Sequence, residues 1–133
     1  MKYYLDTNII IYALNGRYPA VMQHFQQIPA MAVVIPAVVL AEIEYGARKS
    51  HDYGKTMALY QQFLSCFTVE PFTARTTADY GRIRAELEKR GQVIGANDLL
   101  IAATVKSANG ILVTHNTREF ARIDGLQIED WTQ

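Results

Sequence analysis

The sequence predicts an α/β fold in which a mostly parallel central sheet is flanked by helices on both faces. Short segments rich in β-branched and aromatic residues alternate along the chain with longer amphipathic segments. Residues 32–35 are apolar without interruption, which is typical of a strand buried on both faces. Strands separated by helices are joined by right-handed crossovers, which make the strands parallel. The 133 residues contain no repeat or linker-like segment, so we expect a single domain over residues 1–133.

Most predicted elements have a local signal where they begin or end. The aromatic segment 2–5 stops at Asp6, a residue suited to capping the helix that follows. Pro19 and Pro36 suit the first turn of a helix, and Gly91 suits the end of one. The predicted strands are 2–5, 32–35, 67–70, 111–114 and 126–128, and the predicted helices are 8–14, 19–28, 36–49, 53–64, 73–90 and 97–108.

Composition narrows the class of protein. The 13 Lys and Arg residues balance the 13 Asp and Glu residues, so nucleic acid would have to be held by a local basic patch. The single cysteine, Cys66, cannot form an internal disulfide, and its apolar neighbours predict a buried thiol. Asp6 and Asn8 interrupt the first apolar segment too early for a signal peptide, and residues 30–41 are too few to cross a membrane. We therefore expect a cytoplasmic protein with no membrane association.

Acidic residues follow several of the predicted strands. Asp6 comes directly after the first strand, Glu42 lies on the helix after the second, Asp98 begins a later helix, and residues 116–119 form a turn after the 111–114 strand. Ligands of open parallel sheets bind outside the carboxyl ends of the strands. Carboxylate oxygens are the ligands that Mg²⁺ prefers. The sequence therefore predicts an acidic pocket that binds Mg²⁺ at this edge of the sheet.

Each acid also has a simpler structural explanation. Asp6 is as well suited to capping a helix as to binding a metal. Asp98 in a first turn would stabilise the helix dipole, although Asn97 is expected to supply the cap and leave Asp98 free. Glu42 is surrounded by apolar residues, and Glu is rarely buried without a partner, which favours a functional role. Glu44 is expected to be solvated or paired with Arg48.

Other chemistry has little support in the sequence. The three histidines lack the spacing of metal ligands, and each is expected at the surface or in a hydrogen bond. The sequence contains no phosphate-binding GxxxxGK[ST] loop, no GxGxxG fingerprint and no GxSxG nucleophile motif. The aromatic residues Tyr3, Tyr4, Phe63, Phe67 and Phe72 fit core packing better than base stacking.

Five segments, taken in order, resemble one family over almost the whole chain. They are residues 5–8 (LDTN), 41–46 (AEIEYG), 94–103 (IGANDLLIAA), 113–120 (VTHNTREF) and 128–131 (IEDW). The set resembles PIN-domain proteins and, within them, the VapC toxins of bacterial VapBC toxin–antitoxin pairs. This resemblance implies a Mg²⁺- or Mn²⁺-dependent endoribonuclease that blocks translation by cutting RNA, often tRNA, and leaves 5′-phosphate and 3′-hydroxyl ends.

The resemblance also implies roles for individual residues. The family's first three acids correspond to Asp6, Glu42 and Asp98, with Asp6 and Asp98 as the metal ligands. The fourth acid corresponds either to Asn116, where many relatives carry Asp, or to Glu119, which we favour. The supporting polar residues are Thr7, Asn8, Thr114 and Asn116, and the candidates for phosphate contacts are Arg118, Arg122, Lys49 and Lys55.

Partners follow from the same resemblance. A VapC-like protein implies a VapB-like antitoxin whose C-terminal tail covers the acidic groove, forming a toxin–antitoxin hetero-oligomer. Homodimers are typical of the family, and the apolar residues of segment 36–45 would suit such an interface. Two other functions remain open at this point. One is a PIN-like module that binds RNA without cleaving it, and the other is a phosphatase with an Asp nucleophile, although Asn8 stands where such enzymes carry a second Asp.

Overall fold

The computed structural model describes residues 1–133 and contains one five-stranded sheet. The strand order is β3-β2-β1-β4-β5, and every neighbouring pair is parallel. This confirms the predicted α/β class with a parallel sheet. The strands are β1 (Tyr3–Leu5), β2 (Val33–Pro36), β3 (Thr68–Glu70), β4 (Ile111–Val113) and β5 (Gln127–Glu129).

Seven α-helices connect and cover the strands. All four residues of β2 and all three of β4 are buried, and since successive side chains point to opposite faces, both faces of the sheet are covered. The helices are α1 (Thr7–Asn15), α2 (Pro19–Gln27), α3 (Ala37–Arg48), α4 (Tyr53–Leu64), α5 (Thr77–Lys89), α6 (Ala96–Ser107) and α7 (Thr117–Phe120). Two short 3₁₀ turns occupy Ala30–Ala32 and Ala74–Thr76. No helix has the length and apolar character to cross a membrane.

The core lies where β1, β2 and β4 meet helix α6. A cluster of 23 buried residues fills it. Helix α6 contributes Leu99, Ile101 and Val105 together with two alanines, so it is apolar on most of its circumference and fits between its neighbours. This packing holds the start of α6, which carries Asp98, against the carboxyl edge of the sheet.

Four details differ from the sequence prediction. Helix α7 replaces the predicted turn, because four residues are too short to show a helical period. The predicted helix 73–90 begins instead as a 3₁₀ turn stabilised by a capping box between Thr73 and Thr76. Cys66 is exposed, not buried, because it lies in the turn after α4 while its neighbours Phe63 and Phe67 pack inward. Asn97 does not cap α6, since the N-cap position is occupied by Gly95.

A hydrogen bond joins β1 to β3 across the sheet. The Tyr4 hydroxyl lies 3.1 Å from each carboxylate oxygen of Glu70 and donates to that group. Burial and the charge of Glu70 raise the pKa of Tyr4 far enough that the hydroxyl remains a neutral donor. The Tyr4 ring also fills the space beside Gly110, where an added Cβ would lie 2.3 Å from the ring. Position 110 therefore requires glycine for steric reasons.

Candidate active site

Four carboxylates face one another near the carboxyl edge of the sheet. Asp6 follows β1 directly, and Glu42 lies in the middle of α3, the helix after β2. Asp98 lies in the first turn of α6, and Glu119 lies in α7 after β4. The negative charges of Asp6, Glu42 and Glu119 all raise the pKa of Asp98, so each of these three groups lies within electrostatic reach of Asp98. The four acids, far apart in the sequence, are thus grouped around Asp98, and this group is called the acidic pocket below.

Asp6 both caps a helix and faces this pocket. Its side chain is 7% exposed. One carboxylate oxygen accepts the backbone N–H of Thr7 at 2.8 Å and so caps α1, while the other accepts the Thr114 hydroxyl at 2.8 Å. Burial raises the pKa of Asp6 and these two bonds oppose the rise. The structural and functional explanations of Asp6 are therefore compatible.

Thr114 connects Asp6 to the segment that carries Glu119. The Thr114 side chain is fully buried, and its hydroxyl oxygen accepts the backbone N–H of Asn116 at 3.0 Å. The Asn116 side-chain amide in turn donates to a Glu119 carboxylate oxygen at 3.0 Å. The structure therefore brings both candidates for the fourth position together, with the amide of Asn116 orienting the carboxylate of Glu119.

Glu42 is half-buried and held by two neutral donors. The Thr7 hydroxyl donates to one of its oxygens at 2.6 Å, and the Asn97 amide lies 3.4 Å from the other. Because Thr7 follows Asp6 and Asn97 precedes Asp98, both donors are set by the positions of the neighbouring acids. Sequence reasoning missed this use of Asn97. The position of Asn97 immediately before Asp98 was the feature of the sequence that could have indicated this role.

Asp98 is the acid with no hydrogen-bond partner. Partial burial, followed by the charges of Asp6, Glu42 and Glu119, raises the pKa of Asp98 to about 6. A carboxylate that faces three others without a compensating donor is destabilised in its charged form. A cation placed among these groups would remove that destabilisation.

The donor set suits a hard divalent cation. Every candidate ligand is a carboxylate, hydroxyl or amide oxygen, which matches the preference of Mg²⁺ and Mn²⁺. No three acidic or histidine side chains in the structure are close enough together to hold a metal ion between them. Neutral donors turn Asp6, Glu42 and Glu119 toward Thr114, Thr7 and Asn116 respectively. Mg²⁺ is commonly held by one or two protein carboxylates together with water and substrate phosphates, and this arrangement is compatible with that mode.

The remaining predicted site residues are spread more widely. Asn8 is exposed, and its side chain makes no hydrogen bond. Arg118 is exposed beside Glu119 and is not ion-paired, whereas the Arg122 guanidinium donates to the Val93 carbonyl at 3.2 Å. Lys49 and Lys55 are not gathered with the acids. Lys49 lies seven residues beyond Glu42, about 10 Å along α3, with its ammonium 4.8 Å from the Tyr45 ring centroid, and Lys55 is exposed near the start of α4.

The fold agrees with comparison to known proteins. The sequence profile of the PIN domain matches residues 3–126, which is almost the whole chain. The chain therefore belongs to the PIN-domain family.

Within this family the chain is similar over its full length to VapC ribonucleases. It is 40% identical to ribonuclease VapC2 of Haemophilus influenzae, with 98% of each chain covered. It is 37% identical to the tRNA(fMet)-specific endonuclease VapC of Shigella flexneri, with 99% of each covered. Its structure superposes with a TM-score of 0.91 and 38% identity on a chain of the VapBC2 complex of Rickettsia felis bound to a fragment of promoter DNA, covering 98% of this chain and 99% of that one.

Proposed function

We propose that this protein is a divalent-metal-dependent endoribonuclease toxin that cleaves RNA, with tRNA as the favoured substrate, and thereby inhibits translation. The observation that carries the proposal is the convergence of Asp6, Glu42, Asp98 and Glu119 at one sheet edge, with Asp98 unpartnered. Full-length relatives named as ribonucleases, one of them as a tRNA endonuclease, support the same activity.

Asp6 and Asp98 are the residues that would hold Mg²⁺ or Mn²⁺. A bound cation of this kind lowers the pKa of a water molecule and offsets negative charge on phosphodiester oxygens. The Thr114 hydroxyl and the Thr7 N–H fix the orientation of the Asp6 carboxylate, so the carboxylate is oriented before a cation or substrate binds. Pre-positioned ligands reduce the cost of organising the site when substrate binds.

Glu42 is the proposed base that orients the attacking water and accepts its proton. The bonds from Thr7 and Asn97 restrict its carboxylate to one orientation. Glu119, oriented by Asn116, completes the acidic pocket. Arg118, exposed next to Glu119, is the cation best placed to contact a substrate phosphate.

A VapB-like antitoxin is the proposed protein partner. The structural relatives from Rickettsia felis and Salmonella typhimurium are VapBC complexes bound to DNA, and the chain aligns with them over 98% of its length. We propose that the antitoxin covers the acidic pocket, where a cationic side chain would offset the repulsion among the carboxylates. A homodimer of the toxin within the hetero-oligomer is proposed as well.

Cleavage of RNA by three purified variants tests the proposal. Asp6→Asn keeps a side chain that can cap α1, and Asp98→Asn removes only a charge, so both are expected to fold. We expect each to lose at least about 100-fold in Mg²⁺-dependent cleavage, the scale of losing one well-placed catalytic group. Asp79→Asn, a first-turn acid of α5 that pairs with Arg82, is the matched control and should cleave like the parent.

Two further results bear on this assignment. Sequencing RNA ends after a brief pulse of expression should show cuts at defined sites that disappear in the Asp98→Asn variant. Folded Asp6→Asn or Asp98→Asn protein that cleaves at the parental rate would refute the assignment of the site. RNA binding without any metal-dependent cleavage by the parent would instead identify a non-catalytic module.

A further inference from the structure

A cluster of aromatic rings and one cation lies beside the acidic pocket and has no part in the catalytic roles proposed above. The rings of Tyr12 and Tyr18 meet edge to face with centroids 4.7 Å apart. The His115 ring lies 5.4 Å from Tyr18 and 6.1 Å from Tyr12. The guanidinium of Arg17 lies 5.4 Å from the Tyr18 centroid and 5.7 Å from that of Tyr12. These four residues are called the aromatic platform below.

The aromatic platform is joined to the acidic pocket through two chain segments. His115 lies between Thr114, which holds Asp6, and Asn116, which holds Glu119. Tyr12 lies on α1, whose N-terminus is capped by Asp6, about 9 Å further along the helix axis. The platform therefore adjoins the pocket through His115, and at Tyr12 it lies about 9 Å from Asp6 along α1.

The orientation of the His115 ring is set by the C-terminal segment. Its Nδ1 lies 3.0 Å from an Asp130 oxygen and 3.1 Å from the Thr132 hydroxyl. Thr132 donates its backbone N–H and its hydroxyl to the other Asp130 oxygen, which fixes the acceptor in turn. These bonds use the edge of the imidazole, and the His115 side chain is 43% exposed. The ring is therefore held in one position and remains available for contact.

Arg17 is held in the turn between α1 and α2 and has no acidic partner. Its backbone N–H donates to the Asn15 side chain at 2.9 Å, and Gly16 ends α1 in the left-handed conformation with φ of +71°. The side chain is exposed, and none of the ion pairs in the structure includes it. Arg17 thus presents an uncompensated positive charge beside the Tyr12 and Tyr18 rings.

We propose that the aromatic platform binds a base of single-stranded RNA next to the scissile phosphodiester, with Arg17 contacting the backbone of the same nucleotide. This inference rests on the proposed ribonuclease activity and deepens it by assigning where the substrate is held. The acidic pocket repels the RNA backbone and the chain has no net charge, so attraction must come from a nearby local surface. Unstacked RNA bases are bound on Tyr, His and Arg side chains, which is the combination present here.

A second arginine–tyrosine pair provides a matched comparison. The Arg48 guanidinium lies 3.8 Å from the Tyr53 ring centroid. Arg48 is also paired with Glu44 at 3.2 Å, and the Tyr53 hydroxyl donates to the same carboxylate at 2.6 Å. Because the charge of Arg48 is already compensated, this pair has little attraction left for RNA. Arg48→Gln therefore controls for the loss of an exposed arginine beside a tyrosine.

The test compares intact RNA with RNA that lacks one base next to the cleavage site. Steady-state cleavage is measured for the parent, Arg17→Gln, Tyr18→Leu and Arg48→Gln, with an abasic nucleotide placed on either side of the cut in turn. We expect Tyr18→Leu to raise KM on intact RNA about tenfold with kcat unchanged, in the range of base–aromatic stacking. On the abasic RNA that lacks the stacked base, Tyr18→Leu should have no effect. Arg17→Gln should raise KM on the intact and the abasic RNAs alike and should weaken the dependence of KM on salt. Arg48→Gln should change neither KM nor its salt dependence.

Binding measurements separate this inference from the proposed function. Fluorescence anisotropy of labelled RNA with Asp98→Asn protein, alone and combined with Arg17→Gln or Tyr18→Leu, reports on the platform even if the parent cleaves nothing. Equal effects of Tyr18→Leu on intact RNA and on both abasic RNAs would overturn the proposal. The proposal would also be overturned if both combined variants bound RNA as tightly as Asp98→Asn alone, even if their affinity for the antitoxin fell. If Tyr18→Leu fails to fold, the exposed Arg17 variant decides the outcome.

Discussion

Replacing Asp98 by Asn should stabilise the metal-free protein while removing its activity. Asp98 is partly buried, faces three other acids and accepts no hydrogen bond, so its charge is unfavourable in the folded state. Asn is nearly the same size and carries no charge. The substitution therefore removes the repulsion without leaving a cavity, whereas most point substitutions destabilise the fold.

The magnitude follows from the pKa of Asp98. A rise from 3.8 to about 6 corresponds to about 3 kcal/mol, at about 1.4 kcal/mol per pH unit. Asp98 is only half-buried, so water screens roughly half of this, leaving about 1.5 kcal/mol. Removing an acid from the first turn of α6 forfeits about 0.5 kcal/mol of helix-dipole interaction. The net gain is about 1 kcal/mol, or roughly 3–5 °C in Tm for a chain of this size.

The gain in stability from Asp98→Asn should increase as the pH rises. Because the folded-state pKa of Asp98 is raised, the parent is favoured when the group is protonated and loses stability as the pH rises from 3.8 through about 6. The advantage of Asp98→Asn should therefore be complete at pH 7.5 and roughly halved at pH 5. Thermal unfolding in EDTA at these two pH values measures both quantities.

Magnesium should narrow or reverse the difference in stability between Asp98→Asn and the parent. At ten times its Kd, a ligand that binds only the folded parent stabilises it by about 1.4 kcal/mol. Asp98→Asn, which lacks one proposed ligand, should gain less. The matched control is Asp79→Asn in the first turn of α5, where the acid pairs with Arg82 and the substitution should destabilise slightly at every pH. If Asp98→Asn in EDTA at pH 7.5 is destabilised as much as Asp79→Asn, the assigned repulsion is wrong.

Three further predictions concern other parts of the chain. Thr114→Val removes the buried donor to Asp6, so we expect a loss of about 1–3 kcal/mol in denaturant unfolding together with a large drop in kcat; unchanged kcat would show that Thr114 does not position Asp6. Gly110→Ala places a Cβ 2.3 Å from the Tyr4 ring and should cost about 1–3 kcal/mol, which combination with Tyr4→Ala should partly relieve. Cys66 is exposed and should react with a thiol reagent in the native state without a change in Tm, whereas a thiol that reacts only after unfolding would contradict its position.

Much of the architecture could be predicted because short sequence patterns determine where the strands and helices lie. The apolar run that became β2 and the amphipathic segment that became α4 were placed within a residue or two. The positions of Asp6 and Asp98 beside element boundaries followed from the same patterns. Alternation of strands and helices is enough to predict a parallel sheet, and parallel strands place their carboxyl ends at one edge.

The contacts within the pocket could not be predicted because they join residues far apart in the chain. The Thr7–Glu42 bond spans 35 positions and the Thr114–Asp6 bond spans 108. Asn97 looked like a helix cap because Asn is a common capping residue, but the backbone begins α6 at a position that turns its amide toward Glu42. Cys66 was predicted to be buried from its neighbours alone, and composition does not show which side of a turn faces solvent.

The double use of Asp6 affects how the activity can be lost by mutation. Asp98→Asn should leave a folded protein that still occupies the proposed antitoxin, so an inactivated gene copy would go on competing for the partner of an intact one. Asp6 behaves differently, because even Asn keeps only one acceptor oxygen, which can cap α1 while its NH2 group faces the Thr114 hydroxyl, and most other residues lose both contacts. Other changes at Asp6 should lower the amount of folded protein and release the antitoxin. Inactivating mutations recovered under selection should therefore divide into two classes with opposite effects on a second, active copy of the toxin.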